Sequence, residues 1–376
     1  MWKSCLVALA AMLALSGPAP VAAAPPHAYQ EALAQAVRAG EPGVQAYVRK
    51  GRSRWLGVAG LALVEDRVVM TRQARLRLAS LTKMMTYAVS MQLVEEGKLR
   101  LTDRAVDLLP KGALDGVPHA GEITVGQLLD HRSGLYNFNG PDGADFFRDL
   151  YAGPDWGSRT WTARELLAYA RKPEHPPSGP PGEKVSYSST GYVVLEMILE
   201  RAERAPLHEI FRRRLFDPLG MKRAGLEGGD LWVGQIANSY ARPDESVGAR
   251  PTPFGSRRPV RADGLVNLSH GLRFYNGWAR GAGAVAASAH DMAAFMDAVT
   301  ANRLTVLKDQ RAEFAAAAGR PKAFFDWNGG TWGVQTTILY APAQDMTVIV
   351  LTNASNAGPG SHEIAKTLLD LARQRG

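Results

Sequence analysis

Ser80 and Lys83, in "LASLTKMMT", stand three residues apart at the start of a strongly periodic apolar stretch. On a helix that spacing stacks the two side chains one turn apart on one face. A desolvated lysine so placed can take the serine proton, which makes the hydroxyl a nucleophile toward a carbonyl carbon. A position near a helix N-terminus also favours negative charge developing on the oxygen. This is the only S-x-x-K in the chain, and it falls where strand-like segments give way to helical ones. A second candidate is Tyr187 in "YSSTGY", behind a Pro/Gly-rich loop and ahead of another helix. A phenol beside a cationic lysine can shuttle a proton between nucleophile and leaving group.

Other machinery is missing or out of place. The chain has no H-E-x-x-H, no G-x-x-x-x-G-K-[ST] and no G-x-S-x-G. "GAGAVA" at 281–286 lacks the strand and downstream context of a dinucleotide site. Asp130, His131 and Ser133 in "LLDHRSG" have the residue types of a triad. Residues one or two apart on a helix do not face each other, so this segment reads as a helix end.

The elements that must position Ser80 are legible from periodicity. A short helix, "AYQEALAQAVRAG", precedes a meander of "GVQAYVRKG", "RWLGVAGLALV" and "RVVMT". Near the other end, "GVQTTILYA" and "MTVIVLTN" read as strands joined by "PAQD", with a last helix from Ser361. The middle is helical: "LTKMMTYAVSMQLVEEGK", "ITVGQLLDHRSGL", "WTARELLAYARK", "STGYVVLEMILERAE" and "SAHDMAAFMDAVT". Two of these carry capping boxes, Thr124 with Gln127 and Thr162 with Glu165. The expected class is α/β (α+β): an antiparallel sheet drawn from both chain ends and flanked by helices, plus a mostly helical lobe. The sheet lobe takes about 25–79 and 280–376 and the helical lobe about 80–279, with the active site in the groove between them.

Residues 1–24 have an early lysine, an apolar run and a small-residue ending near Ala24. They read as a signal peptide, so the mature chain (25–376) is expected to be exported, periplasmic or extracellular. Cys5 is the only cysteine and leaves with that segment, which excludes disulfides and cysteine chemistry. The net charge of +8 comes from arginines scattered along the chain. It reads as a solvated basic surface and not as a nucleic-acid footprint. No later apolar run is long enough to span a membrane.

Taken together, these segments resemble the serine β-lactamase / D,D-peptidase superfamily, most closely its class C-like branch. That branch holds class C β-lactamases, D-Ala-D-Ala carboxypeptidases, D-amino-acid amidases and family VIII-type esterases. "LRLASLTKMMT" is similar to its nucleophile helix. "ITVGQLLDHRSGL" is similar to its I-T-x-x-x-L-L-x-H-x-S-G-L segment. "PPGEKVSYSSTGYVVLEMILE" is similar to its tyrosine motif. The likeness runs from about Gly43 to Asn353 and extends to "LFDPLGMKRAG", "GAGAVAASAHDMAAF" and "MTVIVLTN".

The resemblance implies a β-lactamase/transpeptidase-like fold and two-step acyl transfer through Ser80, with Lys83 and Tyr187 sharing the proton work. It implies backbone N–H groups of Ser80 and Gly330 as oxyanion donors, and neither metal nor organic cofactor. Two positions depart from the family pattern. Ser189 occupies the asparagine position of the tyrosine motif, where a hydroxyl donates one hydrogen bond but reaches less far than an amide, which bears on recognition of the substrate amide more than on catalysis. The third motif aligns as Trp327-Asn328-Gly329, in "DWNGGTWG", with tryptophan where relatives keep lysine or histidine. The resemblance implies that these residues form the substrate wall. A Trp-x-Gly motif is similar to the esterase and acyltransferase members and fits β-lactam hydrolysis less well. The expected substrate is a small ester or peptide, peptidoglycan-derived ones included. The alternative is a non-catalytic binder or sensor of cell-wall peptides that keeps the fold.

Overall fold

The computed structural model describes residues 26–374 apart from 141–142, 153–159, 230–235, 244–258, 270–271, 273–274 and 305–324. The expected signal peptide lies outside the described residues, as do parts of the loops that follow Phe138 and Arg242.

Strands from both ends of the chain build one antiparallel sheet. They are β1 (Gly43–Lys50), β2 (Ser53–Leu63) and β3 (Val68–Val69) from the N-terminal side. Short pairs in the middle of the chain supply β4 (Leu76–Arg77), β5 (Gly225–Leu226), β6 (Tyr240–Ala241), β7 (Val266–Asn267) and β8 (Val285–Ala287). The C-terminal side gives β9 (Phe325–Thr331), β10 (Val334–Ala341), β11 (Met346–Thr352) and β12 (Ala354–Ser355). The main sheet runs β3-β2-β1-β11-β10-β9, so β1 and β11 meet at its centre and β9 is an edge. Val44 faces Thr352 and Lys50 faces Met346 across that central seam.

Alternation along β11 explains its unbroken apolar sequence. Ile349 and Leu351 point into the large core on one face of the sheet. Met346, Val348 and Val350 point into a second core on the other face. A strand covered on both sides has no polar face to show. The second core is closed by helices α1 (Pro26–Arg38) and, at the chain's end, Gly360–Arg373. Their Tyr29, Leu33, Ala36 and Ile364, Leu368, Ala372 recur every three or four residues and form the apolar stripes that pack on the sheet.

The large core joins the sheet to the helical residues of the middle of the chain. Its central element is α2 (Thr82–Glu95), buried at all but three of its fourteen positions. A helix apolar on every side must sit in a core, and α2 does. Around it lie α3 (Val125–Leu129), opened by the Thr124/Gln127 capping box, α4 (Ser189–Glu203) and α5 (Ala289–Thr300). The Thr162/Glu165 box is also formed. The helical middle therefore contains three short strands, β5 to β7, that periodicity does not announce. Two-residue pairings are too short to leave an alternating pattern.

Candidate active site

Ser80 sits in a single tight turn, Ala79–Leu81, between β4 and α2. This refines the sequence expectation, because α2 proper begins at Thr82. The turn is pinned from both sides. Leu78 N–H donates to Val285 O of β8 at 2.8 Å, and Thr336 Oγ1 of β10 donates to Leu78 O at 3.0 Å. Ala79, just before the nucleophile, has φ +46, which costs a non-glycine residue about 1–3 kcal/mol and persists only where its surroundings fix it.

Lys83 is one turn into α2 and 6% exposed. Its ammonium donates to Ala282 O at 2.8 Å, to Ser189 Oγ at 3.2 Å and to Ser80 Oγ at 3.5 Å. Three partners match the three protons of an ammonium. Tyr187 approaches Ser80 from the other side, its hydroxyl 2.7 Å from Ser80 Oγ. The faces of Tyr187 and Tyr192 lie 4.8 and 5.5 Å from Lys83 Nζ, within the range of cation–π attraction. The serine oxygen is thus held between a phenol and an ammonium. The cation also stabilises negative charge that develops on either oxygen.

Tyr187 is 46% exposed, yet its position is fixed from below. The His131 ring packs 4.5 Å from the Tyr187 ring and 5.1 Å from that of Tyr192. His131 Nδ1 accepts the Ser188 N–H at 3.2 Å, and His131 O accepts the Ser186 N–H at 2.7 Å. Burial, followed by the Lys83 charge, pushes the imidazole pKa down to about 3. His131 is therefore neutral and works as an acceptor. The segment does end a helix, since α3 stops at Leu129 and His131 has φ +55. The same histidine also clamps the backbone on both sides of Tyr187, which the local spacing does not reveal. Asn137 adds a second clamp, its Oδ1 accepting the Ser189 N–H at 2.9 Å.

Ser189 is 1% exposed and its hydroxyl accepts from Lys83, so it faces the ammonium. It is the first residue of α4, and the Asn137 bond to its N–H holds that first peptide.

The glycine-rich stretch forms edge strand β9. A Cβ on Gly329 would lie 2.4 Å from Leu78 O, 2.5 Å from Thr336 Oγ1 and 3.1 Å from Ser80 N. The strand therefore lies against the Ser80 turn at a distance only glycine allows. Thr331 pairs with Val334 across a two-residue turn, and Gly330 pairs with Gln335. In such a hairpin the residues flanking the turn exchange both ladder bonds, so the next pair exchanges none. The Gly330 N–H then points off the sheet edge. Trp327 shares the Gly329 face by alternation, half-buried and stacked on Phe325 with ring centroids 5.6 Å apart. Asn328 shows the opposite face: its Oδ1 accepts from Thr337 Oγ1 at 2.8 Å, and that hydroxyl contacts Ser361 of the last helix. Its side chain thus lies outside the expected substrate wall, for the plain reason that neighbours on a strand point opposite ways.

A model of the family described as Beta-lactamase matches residues 29–373. The chain belongs to the Beta-lactamase family. Its superfamily is that of the serine hydrolases, and its homologues include a penicillin-binding protein and an esterase. Penicillin-binding protein 4 of Amycolatopsis lactamdurans is 34% identical over 157 residues, 42% of this chain and 37% of its own length. Lovastatin esterase of Penicillium rubens is 33% identical over 160 residues, 39% of this chain and 38% of its own length. The chain thus spans under two-fifths of the length of these curated relatives. The crystal structure of D-amino acid amidase from Ochrobactrum anthropi SV3 superposes with a TM-score of 0.74 at 21% identity, covering 93% of this chain and 99% of that one. That likeness establishes the β-lactamase/transpeptidase-like fold. Among the described residues no helix is long and apolar enough to cross a membrane.

Proposed function

We propose that this Beta-lactamase family member is an exported serine hydrolase that cleaves an ester or amide through an acyl-enzyme on Ser80. The observation that carries the reading is the placement of one hydroxyl oxygen between Tyr187 at 2.7 Å and Lys83 at 3.5 Å. Ser80 Oγ attacks the substrate carbonyl. The Tyr187/Lys83 pair is reactive when it is one proton short, as a Tyr187 phenolate beside the Lys83 ammonium: the phenolate oxygen takes the Ser80 hydroxyl proton and gives it to the leaving group, and a water that surrenders a proton to the same oxygen then releases the acyl group and restores the Ser80 hydroxyl. The N–H groups of Ser80 and Gly330 are the donors for the oxyanion, a service worth about 3–4 kcal/mol per donor in acyl transfer.

The proposed substrates are short esters and the amide or peptide ends of D-amino acids, cell-wall fragments included. Trp327 gives the wall an aromatic face where a cation would hold a carboxylate, which favours uncharged acyl donors. Export to the periplasm or the medium, with cleavage near Ala24, completes the proposal.

A panel of p-nitrophenyl esters, D-amino-acid amides, D-Ala-D-Ala peptides and nitrocefin tests it. Turnover of an ester or D-amino-acid amide, abolished in Ser80→Ala, is expected. Muropeptide binding without turnover, unchanged in Ser80→Ala, would replace the hydrolase with a binder.

A further inference from the structure

Lys83 makes its shortest bond to Ala282 O, at 2.8 Å, so the segment around Ala282 decides where the ammonium stands. That segment is held by a charged pair that the proposed reaction does not use. Glu196, on α4, is 1% exposed. Its Oε2 accepts the Gly281 N–H at 3.0 Å, and its Oε1 lies 2.5 Å from Arg280 Nη2. Glu200 Oε1 approaches the same guanidinium at 3.8 Å, and Arg280 Nη1 donates to Trp161 O at 3.1 Å.

The backbone here is forced into its shape. Arg280 has φ 46 and ψ −137, in a region that side-chain-bearing residues rarely adopt. Such a conformation lasts only when several contacts fix it, and the Glu196 carboxylate supplies two of them. Gly281 leaves no slack: a Cβ there would meet Leu207 Cδ2 at 3.1 Å and Thr86 Oγ1 at 3.2 Å. Three of the next contacts go to α2. Thr86 Oγ1 donates to Gly281 O at 2.7 Å, Lys83 to Ala282 O, and the Val285 N–H to Thr82 Oγ1 at 3.1 Å.

We infer that Glu196 is a positioning residue for acyl transfer at Ser80, holding Lys83 in place through Arg280, Gly281 and the Ala282 carbonyl. A carboxylate left in a core is costly unless it is paired and hydrogen-bonded, and burial does push the Glu196 pKa up. Here both oxygens are engaged, one by the guanidinium and one by the peptide N–H that precedes the lysine anchor. Glutamine would keep an acceptor for Gly281 and lose the charge toward Arg280. Alanine would lose both.

The inference rests on Ser80 being the nucleophile, so the test reads that first. Wild type, Glu196→Gln and Glu196→Ala are compared by the rate of Ser80 labelling with a fluorophosphonate, by kcat and KM on a p-nitrophenyl ester, and by the pH profile of kcat/KM. Displacing a reacting group by about 1 Å can cost about a hundredfold. The expected result is a fall in labelling rate and kcat of about tenfold to a hundredfold in Glu196→Ala, with KM within about twofold. Glu196→Gln should fall between alanine and wild type, and its pH profile should be displaced. A folding defect that only lowered the amount of active enzyme would leave that profile in place. If Glu196→Ala does not fold, Glu196→Gln alone decides. Wild-type kcat and an unmoved profile in every folded variant would overturn the inference while leaving Ser80 labelled. An unlabelled Ser80 in wild type would overturn both.

Discussion

The Tyr187 hydroxyl lies 2.7 Å from Ser80 Oγ, closer than the Lys83 ammonium at 3.5 Å. Lys83 has its remaining protons committed to Ala282 and Ser189. The phenol is thus the direct proton partner of the serine, and the lysine supplies the charge beside it. Tyr187→Phe removes that partner and keeps the ring that packs on His131 and Lys83. It should lower kcat by about 10²–10⁴-fold. Because the hydroxyl is at the surface, stability should change by less than about 0.5 kcal/mol. Paired kinetic and thermal-melt measurements check both halves, and a kcat within threefold of wild type would remove Tyr187 from the proton path.

The two adjacent glycines of β9 should answer alanine differently. At Gly329 a methyl group would overlap Leu78 O and Thr336 Oγ1, whereas at Gly330 its nearest neighbour is Val334 O at 3.9 Å. Gly329→Ala should lose about 1–3 kcal/mol of stability and most activity, as the strand backs away from the Ser80 turn. Gly330→Ala keeps the N–H and should fold and react nearly as wild type. Denaturant melts and ester kinetics of the pair test this, and equal behaviour of the two would contradict the packing.

Trp327 sets the character of the wall. Trp327→Lys places a cation on the Gly329 face and breaks the stack on Phe325, at a cost of about 1 kcal/mol. The ratio of kcat/KM for a D-Ala-D-Ala peptide with a free carboxylate to that for a neutral ester should rise about tenfold, the equivalent of 1.4 kcal/mol. An unchanged ratio would mean that position 327 does not read the acyl donor's charge.

Glu41 makes stability depend on pH. It is buried, and burial pushes its pKa up to about 8 against the weaker pull of Gly360 N–H and the Thr352 hydroxyl. The folded state therefore keeps a proton that the unfolded chain releases near 4.5. Between those values the folded state binds more protons, so stability falls as pH rises from about 4.5 to about 8 and then levels. Glu41→Gln should flatten that slope and gain roughly 2–5 kcal/mol at pH 8, at about 1.4 kcal/mol per unit. Thermal melts from pH 5 to 9 test it, and a slope retained in the variant would assign it to other groups.

Much of this site could be read from the sequence because its chemistry is local. Ser80 and Lys83 are one helical turn apart, and Tyr187 opens a helix whose start and end are both marked. Five strands of the main sheet show in the sequence by alternation or by apolar runs, whereas the edge strand β9, with its paired glycines, does not. What escaped were contacts between distant segments. His131 meets the Ser188 N–H across 57 positions, and Glu196 meets Gly281 across 85. His131 lies in a segment similar to a family motif, but the motif does not say what the histidine holds, and a lone glutamate on a helix is common. Asn328 is expected in the substrate wall, yet its side chain lies on the opposite face of β9. Alignment to a motif gives a position, whereas orientation depends on the pleat of β9.

Covalent labelling of the folded protein with a fluorophosphonate, followed by peptide mapping, tests the central claim most directly. A single adduct on the peptide carrying Ser80, lost in Ser80→Ala together with ester turnover, is the predicted result. An adduct on another residue, or no adduct and no turnover, would contradict it.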